Sequence, residues 1–311
     1  MNTVLVIARK EFQSVFRNRL FVTIALLFLG MSILSVWIGS TTKHAEMRLY
    51  NELVVSLTAA GNSALPAPPQ IHTLTILSNL SEYVAIIGAI LAVILGYNSL
   101  IEEKESGGLK LILSRPVFRD RLLTGKLLGG AAVIGLLLGL AFVFNLLLLV
   151  LVGGIWPTMG EVGRLFTFVL MAFAYMLIFL SVSLMLSVKL PSASQVFLIS
   201  LVLWVVFSFV LPQMADTQMV NSTVVNSVTG VASQIPQDTA LSQTLNFLSP
   251  TWHLRHIGSQ LLEATTNGAG LTGGALATQS VMTLLLLLVP SVLFGALAYA
   301  LFLRDETLVL E

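Results

Sequence analysis

The side chains most capable of chemistry fall in three places. His253 and His256, in SPTWHLRHIG, stand three apart and would share one face of a helix, as imidazoles that ligate zinc or copper sometimes do. A structural site normally needs four ligands, however. The chain has no cysteine, and the one carboxylate close by is Glu263. Pro250 and Trp252 fit better as the point where a segment re-enters a membrane interface, the zone that tryptophan favours. Second, Thr124, Gly125 and Lys126 repeat a fragment of the phosphate loop G-x-x-x-x-G-K-[ST], but they open an apolar helix instead of following a strand. No ATP site and no other cofactor or metal is therefore expected in this chain. Third, residues 102–126, EEKESGGLKLILSRPVFRDRLLTGK, gather charge between two very apolar segments.

The elements that must position these residues are set by composition. Of 311 residues, 56% are hydrophobic and 10% charged, far below the roughly 25% charged of soluble domains. Long unbroken apolar runs exclude a barrel and require helices, which satisfy every backbone polar group within lipid. Six runs reach spanning length, at about 20–40, 82–101, 127–152, 164–187, 195–211 and 278–303. Lys189 and Pro191 separate the fourth from the fifth. The first run is too long, and its polar lead-in too extended, for a cleaved signal peptide, so it reads as a retained span. An intramembrane hydrolase does not fit: all four histidines lie outside the runs, and no aspartate lies inside one.

Basic residues near span ends stay on the cytoplasmic side. With the N-terminus inside, twelve lysines and arginines lie on inner segments and four, Lys43, Arg48, Arg164 and Arg255, on outer ones. Both termini and residues 102–126 are thus expected in the cytoplasm of a cell-membrane protein. The segments 41–81 and 212–277 are expected outside, the first carrying the extended LPAPP stretch and the second able to form short interfacial helices. A formal net charge of +1 gives no reason to expect nucleic acid as a partner.

Within the charged stretch, Leu109, Leu111, Ile112 and Leu113 precede Pro116, and Val117, Leu122 and Leu123 alternate with Arg119, Asp120 and Arg121. The pattern predicts a short amphipathic element lying along the membrane, with Gly107 and Gly108 permitting the sharp turn into it. Snorkelling basic residues anchor many such loops. Glu102, Glu103 and Glu105 add carboxylates that contribute nothing to that anchoring and are costly at the end of a span unless hydrated or paired, which fits a docking surface. Residues 1–19 read as a second interface element: Ile7, Ala8, Glu11, Phe12 and Val15 recur at helical spacing, with Arg9, Lys10, Gln13 and Arg17 largely on another face.

On these residues the chain resembles the ABC-2 type permeases, the membrane subunits of ATP-binding-cassette transporters, including their NosY-like branch. The family pattern after the second span is carried by Glu103, Lys104, Glu105, Ser106, Gly107, Leu109, Leu111, Leu113, Ser114, Pro116, Val117, Arg119, Gly125 and Lys126. Gly108 stands where threonine is usual and Phe118 where serine is common. The resemblance implies an all-α membrane protein of type V exporter-like architecture, with 1–311 forming one transmembrane domain, an interface helix over 1–19 and a coupling helix within 102–126. It further implies a homodimer of permeases in lipid, bound to cytoplasmic ATPase subunits that hold ATP and magnesium. Arg9, Lys10, Glu11, Glu103, Glu105, Gly107, Arg115, Pro116 and Arg119 are the residues expected at the ATPase contact. A NosY-like component passing that energy to an extracytoplasmic protein, or a membrane scaffold, is the alternative. Gly125, Gly129, Gly135 and Gly139, spaced for close helix approach, suit packing inside the chain or a dimer seam.

Overall fold

The computed structural model describes residues 3–61, 66, 73–108, 119–154, 156–225, 232–262 and 273–304. Helix α1 (Thr3–Val15) places Val4, Ile7 and Ala8 towards the bundle and leaves Leu5, Val6 and Arg9 exposed. It stops at a short turn where Asn18 caps the next helix, its side chain accepting from the Phe21 amide at 3.2 Å. Helix α2 (Arg19–Ala59) then runs 41 residues without a break, well past the apolar run that ends near Ser40. At 1.5 Å per residue it is about 61 Å long, twice the ~30 Å hydrocarbon layer. No glycine or proline interrupts residues 40–60, so nothing in the backbone chemistry ends the helix there.

The second membrane segment starts earlier than its apolar run, with a 3₁₀ turn at Thr73–Leu77. It continues through α3 (Leu80–Tyr83), a π turn (Val84–Gly88) and α4 (Ala89–Glu105). Helices α5 (Arg119–Leu151), α6 (Met159–Lys189) and α7 (Ala193–Val205) follow; a second π turn (Val206–Val210) joins α7 to α8 (Leu211–Thr217). Helix α6 opens on a capping box in which Thr158 and Glu161 bond reciprocally. Among the described residues, six helices are long and apolar enough to cross a membrane.

The 212–277 segment holds more than interfacial helices. A hairpin of β1 (Val220–Val225) and β2 (Ala232–Gln237) pairs antiparallel, Val220 opposite Gln237. After it come α9 (Ala240–Leu248) and α10 (Pro250–Leu262), and α11 (Gly273–Arg304) closes the fold. Helix α10 is no surface element: Leu254, Ile257, Leu261 and Leu262 are buried, and it packs on α6.

Helix α6 lies at the centre, against α4 on one side and α11 on another. The approach to α4 is close enough that a Cβ on Gly96 would lie 2.6 Å from the Leu180 carbonyl oxygen, and Ser183 donates to the Val93 carbonyl at 2.9 Å. Gly125 and Gly129 serve packing inside the chain, since a Cβ on either would fall 2.7 Å from Ile7 or Glu11 of α1. Gly135 and Gly139 have no such close neighbour.

Candidate functional site

Helix α5 delivers Lys126 into the junction between α1 and the end of α4. Leu122, Leu123 and Lys126 share the buried face of α5, so the ammonium is carried inward with the leucines and its side chain is only 1% exposed. An unpaired ammonium would be strongly destabilising there. It lies 3.2 Å from Glu11 Oε2 and 3.1 Å from Glu103 Oε2, and donates to the Ser99 carbonyl. Glu103 uses its other oxygen to accept from Lys10 at 2.9 Å. Two lysines and two glutamates thus form a neutral chain that links α1, α4 and α5. Burial pushes the Glu11 carboxyl above its ordinary range, with Lys126 opposing that shift. A crevice of about 20 Å³ beside Glu11, Ser14, Asn18 and Asn98 has room for about one water.

The next two residues bind in other directions. Lys104 donates to the Ser187 and Val188 carbonyls at 2.7 and 2.6 Å, satisfying acceptors left over in the last turn of α6. Glu105 accepts from the Ala193 amide at 3.1 Å and so caps α7 from another helix. Glu103, Lys104 and Glu105 therefore fasten the end of α4 to α1, α5, α6 and α7 at once. Of the residues expected at an ATPase contact, Lys10, Glu11, Glu103 and Glu105 are joined in this cluster or its extension. Arg9 is exposed on α1, and Gly107 is exposed at φ 71°, where the chain leaves α4. Arg119 begins α5. Arg115 and Pro116, with the coupling helix expected around them, lie outside the described residues. Lys126, the hub, was not among the expected site residues. Its signal was present: a lone lysine opening an apolar helix, one loop away from three glutamates, needs an acid within reach.

The far end of the bundle holds a second polar assembly, built around the two π turns. A π turn displaces a carbonyl from the regular ladder and so requires an outside donor. The Ala85 carbonyl receives Tyr175 Oη at 2.9 Å and Trp204 Nε1 at 3.2 Å, and the Phe207 carbonyl receives Ser249 Oγ at 2.6 Å. Thr251 Oγ1 lies 3.1 Å from Tyr175 Oη and 2.7 Å from Ser208 Oγ, tying α10 into the same set. On the outer side of this network Arg255 Nη2 meets Glu82 Oε2 at 2.7 Å. The two histidines are engaged locally: His256 stacks on Trp252 at 4.7 Å and 8°, with Nε2 3.0 Å from Gln260 Nε2, and His253 Nε2 lies 3.0 Å from the Phe247 carbonyl. Burial lowers the pKa of both.

The family model for ABC-2 family transporter proteins matches residues 5–307. A probable ABC transporter permease protein NosY of Stutzerimonas stutzeri is 28% identical over 219 residues, covering 68% of each chain. The protein of the same description from Pseudomonas aeruginosa is 31% identical over 136 residues, covering 44% of this chain and 42% of its own. With the whole bundle and its charged junction inside that match, the chain is a membrane-spanning permease and belongs to the ABC-2 transporter family.

Proposed function

We propose that this chain forms the export pathway of an ATP-binding-cassette transporter and takes its driving force from a separate ATPase subunit, which carries the ATP and magnesium. The observation that supports this reading is the Lys126 cluster. A motor pressing on α1 or on the 102–126 connection would act at the point where both are joined to α4, α5, α6 and α7, so a small displacement there moves four membrane helices together. In this reading both termini and the cluster face the cytoplasm of the cell membrane. Arg9, Gly107, Arg115, Pro116 and Arg119 offer the ATPase its contact, and Lys10, Glu11, Glu103 and Glu105 transmit the push. Two copies of the chain pair within the lipid, consistent with the exposed apolar faces of α7 and α11.

The test uses the permease reconstituted with a partner ATP-binding-cassette ATPase subunit. Charge reversal at Arg9, Arg115 and Arg119 is expected to abolish permease-dependent stimulation of ATP hydrolysis while the permease stays folded. Unchanged stimulation in the folded triple variant would refute the contact.

A second reading is favoured by α2. Its last two dozen or so ångströms project beyond any bilayer, with Leu49, Leu53 and Val55 exposed. In that reading the permease passes ATPase energy along α2 to an extracytoplasmic maturation protein, as a NosY-like component, instead of moving a bulk solute.

A further inference from the structure

At the end of the bundle opposite Lys126, α3 and α10 border an open cleft of about 460 Å³, within the range of small-ligand sites. Asn79, Glu82, Trp252, Arg255, His256 and Ser259 line it. We infer that this cleft binds a zwitterion carrying a phosphate and an ammonium, the headgroup chemistry of phosphatidylethanolamine, with Arg255 on the phosphate and Glu82 on the ammonium.

Charge leads to that class of ligand. Arg255 and Glu82 pair at 2.7 Å, so the site is neutral overall, and an ion of one sign would meet one attractive and one repulsive partner at similar range. A head that bears both signs can lie antiparallel to the pair and gain from each. Arg255 keeps donors for it: Nη2 serves Glu82, and the guanidinium carries five N–H groups on a side chain that is 31% exposed. The guanidinium is held in place, since its Cζ sits 5.9 Å over the Phe209 ring. Glu82 has acceptor capacity remaining, its side chain 45% exposed.

Other ligands fit less well. A metal would need the imidazoles, yet the His253 and His256 Nε2 atoms already meet the Phe247 carbonyl and Gln260, and one face of the Trp252 indole that a sugar could use is covered by His256. Height agrees with a headgroup. From Glu82 to Glu103 the chain advances 21 residues of nearly continuous helix, about 31 Å, which matches the hydrocarbon thickness. Two charged ends so spaced place the cleft level with the phosphates of one leaflet, where tryptophan also settles.

The full chain, purified in detergent, is offered equal amounts of phosphatidylethanolamine and phosphatidylglycerol, and retained lipid is counted by native mass spectrometry. Wild type is expected to retain one phosphatidylethanolamine in preference to phosphatidylglycerol. Arg255→Gln and Glu82→Gln should each lower that retention about tenfold or more. Ser259→Phe narrows the cleft with the ion pair intact and should lower retention about tenfold as well, which keeps the test decisive if a charge variant misfolds. Excess soluble phosphoethanolamine separates the sources: displacement of the lipid assigns the site to free zwitterions as well, and retention assigns it to the bilayer headgroup. Equal retention of phosphatidylglycerol by wild type, or unchanged phosphatidylethanolamine in a folded Ser259→Phe, would overturn the inference.

Discussion

Replacing Lys126 with methionine keeps the volume of its buried stem and removes one charge from a neutral set of four. Glu103 retains Lys10 at 2.9 Å, but Glu11 loses its ion-pair partner while remaining buried. Removing one member of a buried pair typically costs about 3–5 kcal/mol, or roughly two to three and a half orders of magnitude in the docking equilibrium of α1. Amide hydrogen exchange in nanodiscs reads that equilibrium directly, and α1 amides are expected to lose about two orders of protection or more. Because burial already raises the Glu11 pKa, protonation favours the docked form, so in Lys126→Met the lost protection should return as pH falls through that raised value. The paired variant Lys126→Met with Glu11→Leu removes both charges and leaves the Glu103–Lys10 bridge; it should recover most of the wild-type protection, since apolar replacement of a buried pair is often neutral or stabilising. Protection within about threefold of wild type in Lys126→Met, or a paired variant worse than the single one, would refute the cluster as the element that docks α1.

Tyr175→Phe is expected to cost about 1 kcal/mol in mixed-micelle unfolding, because Trp204 still serves the Ala85 carbonyl and Ser208 still serves Thr251; adding Trp204→Phe orphans that carbonyl and should cost more than the sum of the single changes. His253 and His256 have depressed pKa values in the folded chain, so their contribution to stability is complete above the ordinary value near 6.5 and is lost as pH falls below it. Thermal unfolding followed by tryptophan fluorescence should therefore show a lower midpoint at pH 5.5 than at pH 7.5, and His256→Phe, which preserves an aromatic stack on Trp252, should weaken that dependence.

The membrane helices were legible in the sequence because a bilayer leaves the backbone few choices: apolar runs of spanning length become helices. Their ends were less so. The extension of α2 to Ala59 rests on helix-forming residues with no apolar stripe to announce them, and the hairpin at 220–237 is too polar and short to stand out by alternation. The charged stretch after α4 was recognisable as a place where carboxylates needed partners. Which partners they take was not legible, because Lys126, Ser187 and Ala193 lie 23 to 88 residues away from Glu103, Lys104 and Glu105, which they meet. Similarly, the sequence marks neither π turn, since the donors that stabilise the displaced carbonyls come from distant helices.

The fastening of four helices by three consecutive side chains makes α4 intolerant of any change in its length. Inserting or deleting a single residue between Gly96 and Glu103 would turn everything beyond it by about 100°. Glu103 would leave Lys126, Lys104 would leave the end of α6, and Glu105 would leave the start of α7 in one stroke. The residue count of this stretch is thus frozen, and natural length variation in such chains should accumulate in the hairpin and beyond α2.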